Sequence, residues 1–216
     1  MQRWIAAACL LFASSAFASF NPLLTPSIVT LRPGETATLA LSAWWSGIAP
    51  LPAHVVLVSD TPDVAEANGS LTWDGAVSDP LVLDPVKVKA LTPGVAHVVD
   101  LGLRRPYATI VVACDSPGTG IAFPLQERVT VPQAQNVKLE IGTAGFDDPS
   151  FAWYDGDTGD FRVPSPGHAS SSDRVFYAPG LFHVWAEAWD RCNYATIEFT
   201  IEVLGPPPNR RRAARH

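Results

Sequence analysis

The chain has 216 residues and a formal net charge of −6, with 47% hydrophobic but only 17% charged residues, against roughly 25% charged in an average soluble domain. That composition can bury one or two cores, so wholesale disorder is excluded. The 20 Pro spread along the chain exclude a long helical bundle, and the acidity makes nucleic acid a poor partner.

Residues 1–18 read MQRWIAAACLLFASSAFA. Arg3 supplies a positive start, Ile5 to Phe12 is apolar, and Ala16-Phe17-Ala18 is an A-x-A cleavage pattern. This is the pattern of a secretory signal peptide cleaved after Ala18, too short to span a membrane. Cys9 lies within the apolar run instead of ending it, which argues against a lipid anchor there. No later stretch is apolar enough for a spanning helix. The expected location is therefore secreted, periplasmic or cell-surface. Export leaves Cys114 and Cys192, an even pair in an oxidising compartment, which reads as a disulfide; two buried thiols are the alternative.

From Ser27 onward the chain breaks into short alternating segments. Ser27 to Leu31 is β-rich, Arg32-Pro33-Gly34-Glu35 turns, and Thr36 to Leu41 alternates polar with apolar at the period of a half-buried strand. His54 to Val58, Val86 to Ala90, Val95 to Leu103 and Ala108 to Ala113 continue the series, the spacing expected of a β-sandwich. Cys114 to Gly120 (CDSPGTG) clusters Ser, Pro and Gly between two strand sets and is the expected boundary. The pattern restarts at Glu127 to Val131, Asn136 to Ile141, Ser150 to Tyr154 and Arg174 to Tyr177. In Leu181 to Trp189, Phe182, Val184, Ala186 and Ala188 fall on one face and His183, Trp185, Glu187 and Trp189 on the other. Ala195 to Val203 closes the set.

The segments VTLRPGETATLAL, SDTPDVA and LTPGVAHV make residues 25–113 resemble a bacterial Ig-like domain of the group 2 type. Trp153 in FAWYDGDTGD and the run YAPGLFHVWAEAWD make residues 121–203 resemble the Ig-like/PKD-like modules of bacterial surface proteins. The resemblance implies an all-β fold of two Ig-like β-sandwich domains in tandem, over 19–113 and 121–204, with 114–120 as linker and 205–216 as a Pro-rich linker and basic tail. It implies extracellular display and carries no catalytic residues. Within it, a Cys114–Cys192 bond would staple the linker to the second sandwich, unlike the bond between facing sheets of antibody domains.

Motifs for chemistry are weak. There is no G-x-S-x-G, and none of His54, His97, His168, His183 and His216 stands in H-E-x-x-H or H-x-H. His97 and His183 read as ordinary strand residues, and His168 as part of a solvated loop. Asp155, Asp157 and Asp160 (YDGDTGD) could offer oxygens to Ca²⁺, but the order departs from an EF-hand loop and reads as a polar hairpin. If the apolar set of Leu181 to Trp189 faces the core, Trp185 and Trp189 face outward. They are the candidate binding surface, for sugar rings or a protein partner, unless a loop or the first domain covers them. Trp44-Trp45 is a second such candidate. Residues 205–208 are a stiff Gly-Pro-Pro-Pro linker and 209–216 carry four Arg. Removing Arg3 and those four takes the formal charge from −6 to −11, so the body is more acidic than the whole. Asn68-Gly69-Ser70 matches a glycosylation sequon, which matters only in a eukaryotic secretory pathway. The reading that emerges is a non-enzymatic adhesion, binding or structural module with no catalytic residue, metal or cofactor, and with an unknown protein or glycan as partner. A carbohydrate-binding accessory protein using the two Trp is the alternative.

Overall fold

The computed structural model describes residues 19–46, 53–73, 82–102, 105–116, 118–158, 161–165 and 169–205. The residues of the proposed signal peptide, the C-terminal tail, His168 and the side chains of Trp44, Trp45, Asp157 and Asp160 lie outside that description. All described regular structure is β. The first eight strands are β1 (Ser19–Thr25), β2 (Ile28–Leu31), β3 (Thr36–Ser46), β4 (Ala53–Ser59), β5 (Ala65–Trp73), β6 (Val82–Ala90), β7 (Gly94–Asp100) and β8 (Pro106–Val112). They hydrogen-bond in the order β1-β3-β6-β5-β4-β7-β8-β2. β5 pairs with both β6 and β4 and so joins two halves of one rolled sheet. The alternation written in the sequence sends Leu39, Leu57, Val86, Val88, Ala96, Val98, Ala108 and Ile110 into one shared core.

The remaining strands are β9 (Ile121–Pro124), β10 (Arg128–Pro132), β11 (Asn136–Ala144), β12 (Ser150–Thr158), β13 (Phe161–Ser165), β14 (Ser171–Val175), β15 (Gly180–Trp189) and β16 (Tyr194–Leu204). They form two sheets, β10-β16-β15-β12-β13 and β14-β11-β9. Between these lies a separate core built on Trp153, Phe199, Leu139, Ile197, Ile201 and Val184. Trp153 stacks on Phe199 with ring centroids 5.5 Å apart. Its indole N–H, which burial would otherwise leave unpaired, donates to the Ala169 carbonyl at 2.9 Å.

Both sandwiches share one closing device: β2 runs parallel to β8, and β10 parallel to β16. In each case a short strand near the start of the unit covers the edge of its last strand, where unpaired backbone groups would otherwise be exposed.

Two strands in the first unit exceed the sequence reading. β1 and β5 carry Asn-Pro and Asn-Gly, which read as turn signals. In β5 the Asn-Gly pair produces a bulge: the register against β6 shifts between Asn68 and Ser70. Gly69 is required there, because a Cβ would lie 2.6 Å from Val86 Cγ2 and 3.0 Å from Val86 Cα.

Candidate functional site

β7 is buried at all seven positions. An edge-to-edge position in a single sandwich would leave every second residue wet. Ala96 and Val98 point into the first core, whereas Val95, His97 and Val99 are buried outside it. The second sandwich shows the same excess. Trp153, Ala186 and Ala188 belong to its core, while Ala152, Tyr154 and Glu187, on the opposite face of the same strands, are also buried. Each surplus face is covered by the other sandwich, and there the two units meet.

Glu187, on β15, is 0% exposed. Its Oε1 accepts from the Tyr194 hydroxyl at 2.8 Å, and its Oε2 from the Tyr154 hydroxyl at 3.1 Å. Thr109 of β8 in the first sandwich places its hydroxyl 2.9 and 3.0 Å from the two oxygens. His97 Nε2, from β7, lies 3.3 Å from Oε2. On its other side His97 Nδ1 faces Asp60 Oδ2 at 3.0 Å, and the His97 backbone N–H donates to Asp60 Oδ1 at 2.7 Å. The Trp189 ring meets the imidazole edge-on, centroids 4.9 Å apart. Hydroxyls from three strands and one imidazole thus converge on one carboxylate, which meets the cost of taking it out of water.

The charges follow from this packing. Burial works against a charged His97, but the carboxylates of Asp60 and Glu187 outweigh it and raise its pKa to about 9. Burial also pushes Asp60 up, yet its bonds to His97 hold it below the ordinary carboxylate value. At neutral pH His97 is therefore charged, held between Asp60 of its own sandwich and Glu187 of the other.

The covalent link lies at the end of the same seam. Cys114 and Cys192 form a disulfide with Cα atoms 5.5 Å apart. Thr109 stands five residues before Cys114, and Glu187 five before Cys192. The Thr109–Glu187 contact and the disulfide thus both join β8 and the residues just after it to β15 and the loop that follows it. Asp190 organises the loop after β15. Its Oδ1 accepts the N–H groups of Cys192 and Asn193, and its Oδ2 accepts the Asp147 N–H and the Asn193 amide. Burial is the largest single influence and works to raise its pKa, but the four donors together outweigh it and hold it below the ordinary carboxylate value. Asn193 Oδ1 in turn accepts the Gly120 N–H at 2.6 Å, and the Gly118 N–H reaches the Cys192 carbonyl. The segment between the sandwiches is therefore pinned by one disulfide and two hydrogen bonds to a single loop.

The sequence-predicted residues fall as follows. Cys114 and Cys192 are bonded to each other. Trp185 and Trp189 lie on the face of β15 opposite its core, and both are half-buried, Trp189 against His97 of the first sandwich. Asp155 pairs with Arg174 at 3.3 Å, and Arg174 stands 5.8 Å over the Trp153 ring. His183 bonds Glu198 at 2.6 Å. Among the described residues no cluster of three or more His, Cys, Asp or Glu could hold a metal ion, and no helix is long and apolar enough to cross a membrane. An open hollow of about 500 Å³ on the first sandwich is lined in part by Asn68, Ser70, Asp84 and Lys87. Sequence reasoning passed over Glu187, Tyr154, Tyr194 and Thr109. The available signal was an outward face of β12, β15 and β16 carrying Tyr and Trp but no Lys.

No protein-family model matches the chain, and no curated protein matches it. Solved structures similar to it include the tandem Ig repeats of Dlar, at 11% identity over 87% of this chain and 100% of that one, TM-score 0.36. A human PKD domain is similar at 11% identity, covering 44% of this chain and 93% of its own, TM-score 0.36. The fibronectin(III)-like modules of a Clostridium thermocellum protein, CbhA, show 13% identity over 91% and 98%, TM-score 0.33. In the chain itself β1-β3-β6-β5 and β4-β7-β8 reproduce the ABED and CFG sheets of that architecture, and with the second two-sheet unit they make it a tandem of Ig-like β-sandwiches.

Proposed function

We propose that this is an exported, non-enzymatic binding or structural module in which the two sandwiches work as one rigid body at the cell surface or in the periplasm. The observation that carries this reading is the buried clasp around Glu187. A carboxylate with no exposure, satisfied from both sandwiches, is costly to separate, so the loops at the ends of the two units are held in a fixed mutual arrangement. Presenting fixed loops on a stiff scaffold is a binding and adhesion geometry. The disulfide supports the exported part, because such bonds persist in oxidising compartments. The leader-like residues 1–18 support it independently. Small-angle scattering of the oxidised protein at pH 7 tests the rigid body: a single compact two-domain envelope is expected, and a spread of separations would end the reading. Fractionation with N-terminal sequencing tests export, with Ser19 as the expected first residue; a cytoplasmic chain beginning at Met1 would overturn it.

A glycan-binding role for Trp185 and Trp189 is the second reading, supported by the exposure both rings retain. Titration of the intrinsic fluorescence with polysaccharides separates the two: a saturable response lost in Trp185→Ala favours the glycan platform, and none favours the scaffold.

A further inference from the structure

We propose that the outer face of the first sandwich carries a binding site of its own, a trough across β3, β6, β5 and β4 that takes a neutral polysaccharide chain. It lies on different strands from Trp185 and Trp189 and from the junction, so it goes beyond both readings above.

The trough follows from the pairing of the strands. The open hollow of about 500 Å³ continues into a second of about 340 Å³, and the two share Asn68 and Lys87. The registers set the side chains of this face in three rungs: Thr36–Lys89–Glu66, Thr38–Lys87–Asn68 and Asp84–Ser70–Val56. Rungs two residues apart lie roughly 7 Å from each other, so the three extend over roughly 14 Å. The bulge of β5 shapes the middle. Pro85 and Val86 of β6 stand opposite Gly69 alone. Val86 turns into the core, while Pro85 stays exposed on the face and, with Val56, lines the hollow.

Three features select the ligand. First, β3, β6, β5 and β4 are each paired on both sides. An extended peptide therefore has no open edge to join as a further strand, and recognition must come from side chains. Second, Lys87 and Lys89 are matched by Glu66 and Asp84, so the trough has no net charge and gives a polyion no electrostatic advantage. Third, its polar groups are open to a ligand. Among the described residues Lys87, Lys89, Glu66 and Asn68 make no side-chain hydrogen bond or ion pair, although Glu66 and Lys89 are cross-strand partners. Ser70 donates to Asp84 at 2.8 Å. An amide, two ammonium groups and two carboxylates offer both donors and acceptors, and Pro85 and Val56 add an apolar patch. A sugar chain has the matching pair of characters: hydroxyls that donate and accept around its edge, and C–H groups on its ring faces.

The experiment is an amide NMR titration of the full oxidised chain at pH 7 with cellohexaose, chitohexaose, mannohexaose and maltohexaose, each taken to millimolar concentration. Polygalacturonate and an unstructured peptide are titrated beside them. At least one neutral hexasaccharide is expected to shift the amides of Asn68, Ser70, Lys87 and Lys89 saturably, with those of Trp185 and Trp189 unmoved. Raising the salt tenfold is expected to leave that affinity unchanged, as a neutral ligand requires. Asn68→Ala and Lys87→Ala are each expected to weaken it about tenfold, the effect of one lost hydrogen bond to a well-placed partner. Lys87 lies outside the bulge, so its variant stays informative if Asn68→Ala disturbs β5. No saturable shift in the trough with any of the four sugars overturns the proposal, as does an affinity that neither substitution changes. Shifts produced only by polygalacturonate or only by the peptide overturn it too. Shifts confined to Trp185 and Trp189 overturn it while leaving the glycan platform of the second sandwich standing.

Discussion

Glu187 joins the two units because each of its oxygens has donors within reach, and this makes individual hydroxyls matter more than their size suggests. Tyr154→Phe keeps the ring and removes one donor to a carboxylate that has no access to water. A buried acceptor stripped of a charge-assisted partner costs about 1–3 kcal/mol. Urea unfolding followed at pH 7 is expected to show that loss, whereas Tyr177→Phe, at a 74% exposed tyrosine, leaves the curve unmoved. Equal effects from the two substitutions would mean that Tyr154 contributes only packing. None of this was legible from the residues alone. A glutamate between two outward tryptophans has the pattern of a solvated strand face, and its partners come from positions 97, 109, 154 and 194, far apart in the chain. Only the pairing of two whole sheets brings them together. His97 was equally opaque: it sits in an apolar strand, and the acidic groups that fix its charge lie 37 residues before it and 90 after.

At the scale of strands, much more could be read. The two-residue alternation of β15 is written plainly in LFHVWAEAW, and the structure turns Val184, Ala186 and Ala188 inward as that period requires. The sequence reading contains no counterpart of β1, β5, β9 or β13, and in β5 Asn68-Gly69 is besides the strongest short signal for a hairpin turn. In β5 the same pair serves a bulge inside a strand, where the glycine lets Val86 of β6 approach. The physical content of that exception is steric and can be measured. Gly69→Ala would place a methyl carbon 2.6 Å from Val86 Cγ2 and 3.0 Å from the Val86 backbone, so the strands must part. The expected cost is about 1–3 kcal/mol, the usual scale for overpacking a tight site. Pairing it with Val86→Ala, which clears the methyl group but not the backbone contact, should recover part of the loss in a double-mutant cycle. Independent, additive effects would show that Gly69 tolerates a side chain and that the bulge has another cause.

For the molecule as a whole, the disulfide was predictable from counting once the leader cysteine was set aside, and the family resemblance placed it between the linker and the second sandwich, where the structure has it. Its energetic reach is nevertheless lopsided. The loop it closes runs from Cys114 to Cys192 and contains nearly all of the second sandwich except β16, and none of the strands of the first. In the chain-entropy picture a crosslink acts on the unfolded form of the segment it closes, here by about 4–5 kcal/mol as an upper value. The Cys114→Ser/Cys192→Ser double variant should therefore lose stability mainly in the second sandwich. Native-state hydrogen exchange resolves the two units: amides of β11, β15 and β16 are expected to lose protection, while those of β3, β6 and β5 keep theirs. Amides of β7 and β8 report on a different quantity. Their buried outer face depends on the second sandwich staying docked, so they lose protection only if the polar clasp fails once the tether is cut. Loss at β7 and β8 along with the second sandwich would show that the disulfide holds the clasp closed. Loss confined to the second sandwich would show that the clasp around Glu187 holds the units together by itself. Equal loss across β3, β5 and β6 would contradict the separation of the two cores.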